Sequence, residues 1–159
     1  MYDDPIEGGF KSGLDYLPAC VMSHSPLDLV IIMLGTNDMK KRFGMTAFTI
    51  GGGITQLIKA VRAHALDASG IPPKILIVCP PPVLENVMET RHGPIFGEES
   101  VEISKELPHE LRRVAKLQRC EFMDAGLFSE VTPLDAVHMT RDGHLRLAQA
   151  ICNKVKEIL

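Results

Sequence analysis

Leu29-Val30-Ile31-Ile32-Met33-Leu34-Gly35-Thr36-Asn37-Asp38 joins an almost unbroken apolar run to a glycine and a polar turn. Continuous apolarity, rather than alternation, describes a strand buried on both faces, as in a parallel sheet covered by helices. A second such run, Lys74 to Cys79, ends at Pro80-Pro81-Pro82, and a weaker one, Glu121 to Met123, ends at Asp124-Ala125-Gly126. Between the runs lie helical patterns. Ile54, Leu57, Ile58, Val61 and Ala65 recur at spacings of three and four within a helix expected over Ile54 to Leu66. Glu99 to Leu117 carries acidic residues early and basic residues late, as the helix dipole prefers, with Pro108 expected to kink or split it. The last helix starts at a Thr140 cap with Asp142 in its first turn, and Leu145, Ala148, Cys152, Val155 and Leu159 form its expected apolar face. This alternation predicts an α/β fold, a three-layer α/β/α sandwich around a parallel sheet, as a single domain over residues 1–159.

Composition narrows the function classes. With 45% hydrophobic and 23% charged residues, the 159-residue chain can bury a full core. A net charge of -3 with no basic stripe argues against a nucleic-acid partner. The longest apolar run, Leu27 to Leu34, is interrupted by Asp28 and is too short to cross a membrane. MYDDPIEGG has neither a basic nor an apolar signal region, so a cytoplasmic location is expected. The four cysteines form no C-x-x-C pair; Cys79 and Cys152 read as small buried hydrophobes in a reducing compartment. Gly51-Gly52-Gly53 has neither the Walker nor the G-x-G-x-x-G spacing, and reads as close packing or a flexible helix entry.

Ligands of open parallel sheets bind outside the carboxyl ends of the strands, and two polar segments fall there. Gly35 permits a tight turn out of the first strand, after which the Asn37 amide can project at the sheet edge. Losing an N–H aimed at a developing oxyanion costs on the order of 3 kcal/mol in a hydrolytic reaction; as a bare tetrapeptide, the segment reads more readily as a turn or a helix cap. Asp135-Ala136-Val137-His138 sets a carboxylate three residues before an imidazole. Such a carboxylate can accept from one ring nitrogen and leave the other free to take a proton, although the spacing also suits a surface turn. His144 follows as a helix-face residue, because H-x5-H without a third ligand is poor zinc spacing. Asp124 reads as a turn or cap residue, and His24, His64, His92 and His109 belong to no evident constellation.

Taken together, the segments resemble the SGNH or GDSL hydrolase family, and within it the arylesterase and acyltransferase branch. The resemblance rests on Asp3-Asp4-Pro5, Tyr16-Leu17-Pro18-Ala19-Cys20, Leu27 through Asp38, the strand ending in Cys79 with its proline turn, Asp124-Ala125-Gly126, and D-x-V-H-x-T-x-x-G-H over residues 135–144. It implies a flavodoxin-like sheet and hydrolysis of small acyl or aryl esters, with acyl transfer to alcohols or peroxide as a variant. It assigns His138 as general base, Asp135 as its orienting partner, Asn37 to the oxyanion hole and Gly35 as the turn glycine. No metal or organic cofactor is implied, and the partners expected are a small-molecule ester and further copies of the chain in a homo-oligomer.

One part of the family's pattern does not occur. The nucleophile sits in G-D-S after the first strand, and none of Ser12, Ser23, Ser25, Ser69, Ser100, Ser104 or Ser129 lies in such a motif. The expectation is an N-terminally truncated domain lacking its first strands, with Met1 internal to a longer reading frame and the 29–34 strand exposed as an apolar edge. The competing expectation is an inert α/β binding module, which a serine-directed fluorophosphonate probe separates from an enzyme.

Overall fold

The computed structural model describes residues 8–9 and 11–159, so the Asp3-Asp4-Pro5 match lies outside the described residues. Helix α1 (Gly13–His24) precedes β1 (Leu29–Ile32), α2 (Ala47–His64), β2 (Lys74–Cys79), the one-turn α3 (Gly93–Phe96), α4 (Glu99–Gln118), β3 (Glu121–Asp124) and α5 (Arg141–Ile158). The strands form a parallel sheet in the order β1-β2-β3, with Leu29 opposite Lys74 and Leu76 opposite Glu121. No described helix is long and apolar enough to cross a membrane.

The unbroken apolarity of β2 has a direct cause. Ile75, Ile77 and Cys79 point into the core shared with α1, α2 and α4, whereas Leu76 and Val78 point into a second core under α5. Each strand residue thus meets a helical layer on one side or the other, which makes three layers. In β1 the same alternation sends Val30 and Ile32 into the larger core and leaves Ile31 41% exposed.

Several local expectations are corrected. Helix α2 begins seven residues before Ile54, at Ala47, where Thr46 and Thr49 form a reciprocal capping box. Gly51-Gly52-Gly53 therefore lies inside the helix. A Cβ on Gly51 would sit 2.5 Å from Glu110 Oε1 of α4, so its bareness allows the two helices to approach over a carboxylate. Arg113 holds that carboxylate in a bidentate pair at 2.7 and 2.8 Å. Helix α4 runs unbroken through Pro108, flanked by the fully buried Leu107 and Leu111, so packing outweighs the lost hydrogen bond. β1 is shorter than the apolar run because Met33 and Leu34 leave the sheet to reach Gly35.

The largest correction concerns α5. Leu145 and Leu159 are 62% and 65% exposed, and Ala148 and Cys152 are exposed too. The packed stripe is Gly143, Leu147, Ala150, Ile151 and Ile158. Both stripes have helical spacing, and a backbone contact selects between them. A Cβ on Gly143 would lie 2.7 Å from the Glu130 carbonyl oxygen, so the helix rests its glycine against the preceding chain. Thr140 caps the same turn by accepting from Gly143 N at 2.9 Å.

Candidate active site

The sheet's carboxyl edge collects the segments that the sequence singled out. Leaving β1, the chain turns at Gly35 into a one-turn 3-10 helix, Thr36–Met39, that carries Asn37 exposed to solvent. Gly35 adopts φ 133°, a region nearly closed to other residues, and its α-carbon faces Ile50 and Leu107. Leaving β3, Asp124 accepts from Gly126 N at 2.9 Å and closes a short turn.

Residues 130–140 then form a loop pinned at its base. Val131 bridges Met139, Thr132 N donates to the His138 carbonyl at 2.8 Å, and Thr140 N donates to the Glu130 carbonyl at 2.9 Å. Within the loop, Ala136 adopts a left-handed φ of 63° and is fully buried. This kink turns the amides of Val137 and His138 toward Asp135, whose Oδ1 accepts them at 3.0 and 2.9 Å. Asp135 Oδ2 lies 2.8 Å from His138 Nδ1. The loop is also tied to the β2 exit: Leu84 N donates to the Ala136 carbonyl at 3.0 Å, Asn86 Nδ2 to the Pro133 carbonyl at 2.8 Å, and Thr90 Oγ1 to the Asp135 carbonyl at 3.2 Å.

Partial desolvation pushes the Asp135 carboxyl upward, but the amides of His138 and Val137, with the His138 ring, outweigh it and hold the pKa at about 2. Asp135 is therefore ionised at neutral pH and accepts a proton-bearing Nδ1, which leaves the lone pair of a neutral His138 ring on Nε2. The His138 side chain is 65% exposed and that of Asp135 only 16%. Among the described residues, no serine hydroxyl hydrogen-bonds to the ring. The arrangement suits proton transfer at a solvent-facing nitrogen with a half-buried anion behind it.

Asp135→Asn retains an acceptor oxygen and removes the charge. Because the folded pKa is depressed, the stabilisation is complete above the ordinary carboxylate range and is lost as pH falls through about 2. The expected loss is about 1 kcal/mol at neutral pH, with the gap to the parent closing under strong acid. Urea unfolding across that range tests it; a gap that persists in acid would rule out the charge as its source.

His144 is exposed on α5, apart from this cluster of contacts. His92 is the residue that sequence reasoning missed. Its ring lies 5.5 Å from the His138 ring and edge-on to Phe96 at 6.0 Å. Desolvation and then the Arg91 charge lower its pKa, and Lys40, which follows the Asn37 turn, adds to the effect. No spacing signal could have revealed His92, since 46 residues separate it from His138 and only the tertiary ties join them.

A family model described as the GDSL-like Lipase/Acylhydrolase family matches residues 7–146. The inhibitor-bound aryl esterase of M. smegmatis is 34% identical, covering 99% of this chain and 73% of its own, with a TM-score of 0.88. A carbohydrate acetylesterase family member from Sinorhizobium meliloti is 34% identical over 99% of this chain and 74% of its own, with a TM-score of 0.91. A carbohydrate acetylesterase from the same organism is 35% identical over 99% and 73%, with a TM-score of 0.88. Comparison with curated proteins gives no significant match.

Proposed function

This chain belongs to the GDSL-like lipase/acylhydrolase family, and we propose that its Asp135–His138 pair is the acid–base component of an esterase site for small acyl esters of aryl or sugar alcohols. The observation that carries the reading is the 2.8 Å contact between Asp135 and His138 Nδ1, with Nε2 left open at the carboxyl edge of the sheet. In this reading Nε2 takes the proton of a serine hydroxyl supplied by residues outside this sequence, and the alkoxide attacks the ester carbonyl. The Asn37 amide donates to the resulting oxyanion. His138 then returns the proton to the departing alkoxide, and water, activated by the same nitrogen, releases the acyl group. An alcohol or peroxide in place of that water gives acyl transfer.

The small-ester expectation draws on the names of the relatives, an aryl esterase and carbohydrate acetylesterases. The exposed apolar positions Ile31 and Leu34 beside the β1 edge support self-association.

The test joins these residues covalently to a G-D-S serine segment and assays aryl acetates, sugar acetates and long-chain esters. Hydrolysis of the acetates, with long-chain esters cleaved poorly, is expected. Inactivity on every ester, or a long-chain preference, would overturn the assignment.

A further inference from the structure

The proposed reaction leaves His92 without a task. His92, Asp135 and His138 each present a donor atom, and all of these atoms lie within 4.8 Å of one another. The geometry points to a binding site for one divalent ion of the zinc type on His92, Asp135 and His138, whose occupancy disables the acid–base pair. The regulatory consequence, though not the ion binding itself, rests on the function proposed above.

Three observations support the site. Around a tetrahedral zinc with bonds near 2.1 Å, donors sit about 3.4 Å apart. Asp135 Oδ2 and His138 Nδ1, now 2.8 Å apart in a hydrogen bond, must part by about 0.6 Å to admit the ion. His92 must then close the remaining distance, a shift of about 1.4 Å from the 4.8 Å limit. Second, His92 Nδ1 is buried without a hydrogen-bond partner. A desolvated polar atom of this kind is costly to leave unpaired, and an ion would satisfy it. Third, two imidazoles and one carboxylate suit zinc, copper, nickel or cobalt, whereas magnesium and calcium demand oxygen ligands. Three protein ligands leave a fourth position for water.

Proton bookkeeping explains the inhibition. An ion on His138 Nδ1 takes the place of the proton now held against Asp135. That proton moves to Nε2, which then has no lone pair for a serine. On His92, coordination through Nδ1 places the ring proton on Nε2, and among the described residues the hydrogen bond given up is the long 3.4 Å one from Arg91 Nε.

The experiment titrates the 159-residue chain with zinc chloride at neutral pH by calorimetry, with magnesium chloride as the comparator. One equivalent of zinc and no magnesium should bind. His92→Gln should weaken zinc binding by about tenfold or more, and His144→Gln should leave it unchanged. Should His92→Gln fail to fold, paramagnetic broadening of histidine ring signals by copper in the parent chain decides the matter: His92 and His138 should broaden before His24, His64, His109 and His144. Absence of stoichiometric binding, binding indifferent to His92→Gln, or equal broadening at every histidine would overturn the site. Failure of the acid–base reading is a separate result, seen as retained esterase activity in His138→Ala, and it would leave the ion titration standing.

Discussion

His138→Ala is expected to lower kcat about a millionfold in the serine-bearing polypeptide, with KM little changed. In the proposed reaction the imidazole handles the proton twice, once from the nucleophile and once to the leaving group, and no other described residue is placed to substitute. The His92 ring lies 5.5 Å from that of His138 between centroids, and among the described residues no carboxylate hydrogen-bonds to it. Removing the base costs about as much as removing the nucleophile, because the two act as one unit; what survives comes from binding and the oxyanion donors. Asp135→Asn should cost less, about ten-thousandfold, since the ring stays and only its tautomer is lost. Steady-state kinetics on a short aryl acetate measures both. Full activity in His138→Ala would remove the basis for assigning this loop to the chemistry.

Gly35→Ala is the second large effect, read in stability. At φ 133° an alanine is strained before any contact is considered. Its Cβ would also lie 3.3 Å from both Ile50 Cγ2 and Leu107 Cδ2. Those residues are 2% and 0% exposed, so neither has room to withdraw. The expected loss is about 3 kcal/mol. Gly44→Ala provides the comparison. There φ is 57°, an ordinary left-handed value, and a Cβ would meet nothing within 4 Å; the expected cost is about 1 kcal/mol. Chemical denaturation of both variants decides the point, and a Gly35→Ala no worse than Gly44→Ala would contradict the packing argument.

Much of this fold was legible because its signals are local. The β2 bounds coincide with the run KILIVC, since burial on two faces leaves no polar residue in the strand after the exposed Lys74 at its start. Gly35 was readable as a turn from its position after a strand, and Thr140 as a cap from the helical pattern behind it. The α5 orientation was not legible. Two apolar stripes share one helix, and the steric fact that selects between them, Gly143 against the Glu130 backbone, belongs to the tertiary structure. The glycine run was legible as close packing but not as helix interior: three glycines oppose helix formation by propensity, yet α2 tolerates them because Gly51 must admit Glu110. At the candidate site the D-x-x-H spacing was visible, but not the left-handed Ala136 that converts it into a hydrogen-bonded turn, nor His92.

The ties from Leu84, Asn86 and Thr90 to the 133–136 backbone give the loop a further property. The imidazole is held by a segment some 45 residues upstream in sequence. An excursion that bares the Leu84 amide to solvent also frees Ala136, and with it the kink that aims two amides at Asp135. Local opening of the β2 exit and loss of the poised base are then one event. The site's fraction of time in working order is set by the stability of a stretch that contributes no chemistry of its own.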